Sequence, residues 1–128
     1  MVTVIQTKEA PPAIGPYSQA IRCGEWLFLS GQIPLDPRTG NIVPGQAREQ
    51  TEQVLRNLTA ILTAAGCGLA SVVKTTVFLV DLADFPDVNA VYQEFFKPPF
   101  PARATVQVAA LPRGARVEIE AVAKAGAS

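Results

Sequence analysis

Between residues 100 and 126, FPARATVQVAALPRGARVEIEAVAKAG, polar and apolar positions alternate. In strand register Val117, Ile119, Ala121 and Ala123 point one way, and Arg116, Glu118 and Glu120 the other. Just before them, Arg103, Thr105 and Gln107 oppose Ala104, Val106 and Val108. Two strands are predicted, and their polar faces offer a guanidinium and two carboxylates. Such faces are either wetted surface or the walls of a pocket for a small anion.

Upstream the period changes. From Gln46 to Ala65 the apolar residues Ala47, Val54, Leu58, Ile61, Leu62 and Ala65 form one stripe at helical spacing, closed by Gly66 and Gly68. DFPDVNAVYQEFF predicts a second helix, with Asp84 at its N-cap, Pro86 just inside and Phe85, Val88, Tyr92 and Phe95 on its buried side. Between the helices SVVKTTVFLV is β-branched and nearly continuous in apolar character, which predicts a central strand buried on both faces. VTVI is a short strand, and YSQAIRCGEWLFLS is two strands around a turn at Cys23-Gly24-Glu25. GQIPLDPRTGNIVPG is a long loop turning at Asp36–Gly40. The order βββαβαββ makes a two-layer α+β domain spanning 1–128, with a six-stranded mixed sheet and two helices on one face. The loop LPRGA suggests a hairpin between the last two strands.

Composition narrows the chemistry. With 48% apolar and 17% charged residues, the chain is an ordinary globular domain with one core. Eleven basic residues balance eleven acidic ones, so no broad basic field draws nucleic acid or membrane. MVTVIQTKEA lacks the pattern of a secretory leader, and Cys23 and Cys67 form no CxxC pair, so reduced thiols and a cytoplasmic location are expected. There is no histidine, which removes Ser-His-Asp and Cys-His catalysis and histidine zinc sites. Acid–base work falls to Glu, Asp, Lys, Tyr, Cys or water.

Several motifs dissolve on inspection. GCGLAS follows a helix instead of joining a strand to one, so its glycines read as a C-cap and not as a phosphate loop. Asp81, Asp84 and Asp87 fall where a helix begins and lack calcium-loop spacing. Ser30 in LSGQIP is no nucleophile elbow, and Tyr17 in GPYSQ by itself is a half-buried aromatic. Arg103 stands apart. At the mouth of a strand it offers a planar fork for a carboxylate, or it pairs internally with Glu118 or Glu120. Either of those two carboxylates has the chemistry of a working acid.

Taken together, AIGPYSQAI, LSGQIPLDPRTG, VVKTTVFLVDLADFPDVNAVY, PARATVQV and LPRGARVEIEAVA resemble the YjgF/Rid family of reactive-intermediate imine deaminases. The resemblance runs over essentially the whole chain. It implies a chorismate-mutase-like fold assembled as a homotrimer, with sites between subunits and the KTTVFLV strand lying between the last two. It implies that Arg103 holds the substrate carboxylate, that Glu118 orients water or moves a proton, and that Tyr17, Ser30, Gly31, Asn89 and Thr105 line the pocket. Thr105 stands where the family often has a cysteine, and KPPFPAR is shorter than the usual loop. The implied substrates are 2-aminoacrylate-type enamines and their 2-imino acid tautomers, released by pyridoxal-phosphate enzymes and converted to 2-keto acid and ammonium. No cofactor, metal or membrane is implied. Two other readings are a keto-acid-binding regulatory trimer and a ribonuclease that inhibits translation, the latter needing Arg113, Arg116 and Lys124 to form a basic patch.

Overall fold

The computed structural model describes residues 2–125. Six strands, β1 (Val2–Ile5), β2 (Ala20–Cys23), β3 (Trp26–Gln32), β4 (Val72–Leu79), β5 (Ala102–Gln107) and β6 (Val117–Lys124), form one sheet in the order β1-β2-β3-β6-β4-β5. The β4–β5 pair is parallel and the others are antiparallel. Two helices, α1 (Ala47–Ala64) and α2 (Phe85–Phe95), cover one face. This is the mixed two-layer α+β sheet expected.

The order overturns the hairpin suggested by LPRGA. β4 lies between β5 and β6, as the family resemblance implies. The reason is the partners each strand needs. β4 supplies Val77 and Leu79, both fully buried, and only an interior position gives them neighbours on both sides.

α1 ends in the manner its glycine predicts. Gly66 is left-handed at φ 78°, its N–H donates to the Thr63 carbonyl (2.9 Å), and Cys67 N–H donates to Leu62 (2.8 Å). At the other end Gln46 N–H donates to the Glu49 carboxylate at 2.7 Å. The stripe Val54, Leu58, Ile61 and Leu62 is enclosed against Leu27, Ile119 and Ala123 of the sheet. Truncating Leu58 to alanine there costs about 2–5 kcal/mol.

The second correction concerns β4. Val72, Thr75, Val77 and Leu79 are buried beneath the helices, but Val73 and Lys74 are exposed and Thr76 and Phe78 only partly covered. The β-branched run therefore alternates, and its second face is open within the chain. That open face continues across Phe28 on β3, Glu118, Glu120 and Val122 on β6 and Val106 on β5.

Candidate functional site

Register decides which side of the sheet each candidate occupies. Arg103 pairs with Thr75 and Thr105 with Val77, so both project toward the helices. Glu118 pairs with Phe78 and Glu120 with Thr76, so both project from the open face. Arg103 and the two glutamates thus lie on opposite faces of one sheet. The internal ion pair considered for Arg103 does not form, and the guanidinium and carboxylates do not wall one pocket within the chain.

On the helix side Arg103 stands exposed on the edge strand β5. Its Nη1 donates to Asn89 Oδ1 at 2.8 Å. Its guanidinium carbon sits 4.8 Å from the Tyr92 ring centre and 5.5 Å from that of Phe85. Among the described residues no carboxylate lies within ion-pair distance of it. Phe100 and Pro101 complete the rim of this hollow. Asn89 and Tyr92 reach it because they are three apart on α2 and share a face.

Thr105 lies two residues along the same strand. Val108 N–H donates to the Leu79 carbonyl, so by strand alternation residues 106, 104 and 102 also bond toward β4. The N–H groups of Arg103 and Thr105 are therefore directed off the free edge of the sheet, beside the guanidinium. The Thr105 hydroxyl is buried without a hydrogen-bond partner among the described residues. What Thr105 presents at this edge is backbone.

On the other side Tyr17, Ser30, Gly31 and Glu118 share a second hollow of about 350 Å³ with Ile14 and Leu35. That volume is at the small end for ligand sites. β3 bulges here: Leu29 pairs with Ala121 and Gln32 with Ile119, leaving Ser30 and Gly31 opposite Glu120 alone. The bulge re-aims the strand over Glu118. A methyl group on Gly31 would overlap the Glu118 carboxylate and come within 3.0 Å of its Cδ, so glycine here lets the carboxylate lie directly against the strand, and any side chain would push it aside. Ser30 donates its hydroxyl to the Ser18 carbonyl at 2.5 Å, which ties the bulge to the preceding loop. Burial pushes the Glu118 carboxyl above its usual range, and the neighbouring Glu120 charge adds to the shift. Tyr17, 54% exposed, is more open than its sequence context suggested, and its hydroxyl accepts from Ile14 N–H at 3.3 Å.

The walls of this hollow depend on amides that the apolar pattern passes over. Gln19 is buried and accepts from Thr7 N–H (2.7 Å) while donating to the carbonyls of Thr7 and Pro11 (3.0 and 2.8 Å). It folds the proline-rich rim back onto the sheet. Asn57 donates from α1 to the carbonyls of Ile33 and Leu35 (3.3 and 3.0 Å), fixing the opposite wall. Gln50 accepts from Arg116 N–H at 2.9 Å at the start of β6. A polar residue inside an amphipathic stripe was the available signal, because a buried amide must find partners.

The remaining polar candidates separate. Asp81 accepts from Ala83 N–H (2.9 Å), Asp84 pairs with Arg116 (3.3 Å), and Asp87 faces Arg48 (3.7 Å). Asp84 thus occupies the N-cap position, but its carboxylate turns to arginine instead of capping. The basic patch considered for RNA does not assemble. Arg116 is held by Asp84, Arg113 donates to the Gly40 carbonyl, and Lys124 lies over Trp26 at the far end of β6. No helix among the described residues is long and apolar enough to cross a membrane.

An α+β chain with a guanidinium at one sheet edge that pairs with no carboxylate among the described residues, and a half-buried acid on the reverse face, has the makings of a protein for small carboxylated ligands. Residues 7–125 match the family described as Endoribonuclease L-PSP, and the chain belongs to it, the YjgF/Rid family its motifs resemble. It is 58% identical over 122 residues to the RutC family protein y4sK of Sinorhizobium fredii, covering 95% of this chain and 97% of that one. It is 55% identical over 123 residues to the mouse protein named 2-iminobutanoate/2-iminopropanoate deaminase, covering 96% and 91%. Among solved structures it is similar to E. coli TdcF, determined with bound serine, at a TM-score of 0.92 and 44% identity, covering 97% of this chain and 99% of that one.

Proposed function

We propose that this protein is a cytoplasmic, cofactor-independent deaminase that hydrolyses 2-imino acids and their 2-aminoacrylate-type enamine tautomers to 2-keto acids and ammonium. The observation that carries this reading is Arg103, a guanidinium fixed by Asn89 and two rings with no carboxylate of its own among the described residues. The substrate carboxylate supplies the missing anion, in two parallel N–H···O bonds with the Thr105 N–H beside them. Names of relatives at 55% identity support the same chemistry.

The site is shared between subunits of a homotrimer. Arg103 and Glu118 lie on opposite faces of one sheet, so a single ligand meets both only if another copy brings its edge strand over the Glu118 hollow. The open face, with Phe28 50% and Val106 41% exposed, is apolar surface suited to that contact. In the shared cleft Tyr17, Ser30, Gly31 and Asn89 line the substrate.

The reaction needs little. Arg103 fixes the imine carbon by its neighbouring carboxylate, which turns a random encounter with water into an oriented one. Glu118 takes a proton from water as the oxygen bonds to C2 and passes it to nitrogen. Glu118 then takes the carbinolamine hydroxyl proton and delivers it to nitrogen, the C2 carbonyl forms as the C–N bond breaks, and the ammonia released takes a proton from solvent to become ammonium. Burial raises the Glu118 pKa, which makes the carboxylate a better base for taking the proton from water, and the acid so formed returns it to nitrogen. The enamine enters by protonation at C3.

The test is a coupled assay in which a serine/threonine dehydratase generates the imine and semicarbazone or keto-acid formation is followed. Acceleration of keto-acid release is expected. Binding of keto acids without acceleration would replace the enzyme by a regulatory binding module.

A further inference from the structure

Tyr92 is among the most enclosed polar side chains of the protein, 4% exposed, yet it was expected only as core. One face of its ring meets Phe96, stacked at 4.4 Å between centres, and the ring also lies 4.8 Å from the Arg103 guanidinium. Its hydroxyl is 2.8 Å from the hydroxyl of Thr75, itself 1% exposed. Thr75 is the register partner of Arg103 across the β4–β5 ladder. The three residues close a loop: Arg103 to Thr75 through the sheet, Thr75 to Tyr92 through the hydroxyls, Tyr92 to Arg103 through the ring.

Packing alone does not call for this arrangement. Phenylalanine and valine would fill the same two positions without burying two hydroxyls, and among the described residues the hydroxyl pair has no other side-chain partner. What the bond does is fix the tilt and depth of the ring. An arginine on an exposed edge strand samples many rotamers, and a cation prefers the face of a ring whose position is fixed. Burial raises the Tyr92 pKa, which keeps the hydroxyl protonated and the bond intact through the neutral range.

We infer that Tyr92 and Thr75 are positioning residues for the anion site: their hydroxyl bond holds the Tyr92 ring as a platform that keeps the Arg103 fork oriented beside the Thr105 N–H before ligand arrives. The inference deepens the proposed function and rests on Arg103 being the carboxylate clamp. Preorganisation of this kind appears in affinity, because less ordering remains to be done on binding. It acts equally on ground and transition states, so KM rises and kcat holds when it is lost.

The test combines Tyr92→Phe, Thr75→Val, their double variant and Tyr92→Leu with two readouts on the full chain. One is the affinity for 2-ketobutyrate, a stable carboxylate, by calorimetry. The other is the Arg103 Nε–H resonance in the ligand-free protein by nitrogen-15 NMR. Tyr92→Phe and Thr75→Val should each weaken 2-ketobutyrate about threefold, and the double variant no further, because one bond is removed in every case. Tyr92→Leu, which removes the ring, should weaken it about tenfold. In all four the Arg103 resonance should move toward that of a solvated arginine. Should Tyr92→Leu not fold, the two single variants and their double decide the matter. Folded variants with wild-type affinity and an unmoved Arg103 resonance would overturn the inference, as would additive losses in the double variant. The deaminase reading fails separately, if wild type binds 2-ketobutyrate through Arg103 yet releases no keto acid from the imine. If wild type does not bind 2-ketobutyrate, the resonance of the ligand-free protein still decides the platform.

Discussion

On the helix side of the sheet a guanidinium stands in solvent on an edge strand, steered by one amide and two rings. On the open side a carboxyl lies half-buried against a glycine in a bulge, with no cation near enough to pair with it among the described residues. The two groups are kept ready for chemistry by opposite means. Arginine keeps its charge whatever surrounds it, so exposure costs it nothing and only its direction has to be managed. A carboxyl must be desolvated to hold its proton above the ordinary carboxylate range, so Glu118 needs walls. An open edge and a walled hollow are different kinds of ground, and the fold puts them on different faces.

The largest effect should come from the open edge. Arg103→Ala should reduce imine hydrolysis roughly 100-fold or more while the far-ultraviolet circular dichroism stays unchanged, since two charge-assisted hydrogen bonds are lost. Arg103→Lys, which keeps charge without the fork, should be nearly as poor. Near wild-type rates in either variant would remove Arg103 from the site.

The walled side should respond almost as strongly but in a different quantity. Glu118→Gln should lose turnover about 100-fold and keep 2-ketobutyrate affinity, because the amide preserves shape and exchanges no proton. Glu120→Gln should be milder, and a reversed order would reassign the acid. Glu118 also carries a stability signature. Its folded pKa is raised, so its favourable contribution is complete below the ordinary carboxylate range and is lost as pH rises through the raised value. Wild type should therefore lose melting temperature relative to Glu118→Gln as pH rises from the ordinary carboxylate range through the raised value. A gap that stays constant with pH would contradict the raised pKa.

Mixing sharpens the comparison itself. Two dead variants, Arg103→Ala and Glu118→Gln, unfolded and refolded together, should regain up to about a quarter of wild-type activity if each trimer site takes one half from each of two neighbours. No recovery from assembled mixed trimers would mean that one chain holds a complete site. Smaller again, Gly31→Ala should displace the Glu118 carboxylate and cost about tenfold in kcat.

The smallest effect belongs to Thr105. Its hydroxyl has no partner among the described residues, so Thr105→Val should keep most activity and gain about 1 kcal/mol in stability by removing a buried unsatisfied group. Thr105→Cys should also stay active. A wild type inactive on 2-aminoacrylate beside a fast Thr105→Cys would favour a covalent thiol over the backbone role.

Local periodicity alone determined much of this protein: both helices, the alternation of β5 and β6, the glycine stop after α1 and the absence of histidine chemistry. Those are properties of short windows, in which each residue's neighbours are its sequence neighbours. The motif resemblance added Arg103, Glu118 and the pocket residues as expectations. It did not supply Gln19, Asn57 or the Tyr92–Thr75 pair, whose value lies in partners that are distant in sequence. That β4 separates β5 from β6 was implied by the resemblance and not by the local pattern, and tertiary structure decided that the second face of β4 stays open and that Arg103 and Glu118 look away from each other. A strand's alternation specifies two faces but does not say which one meets the helices. Only its pairing register does, and register is set by a partner strand far along the chain: Thr75 meets Arg103 on one side and Ala121 on the other.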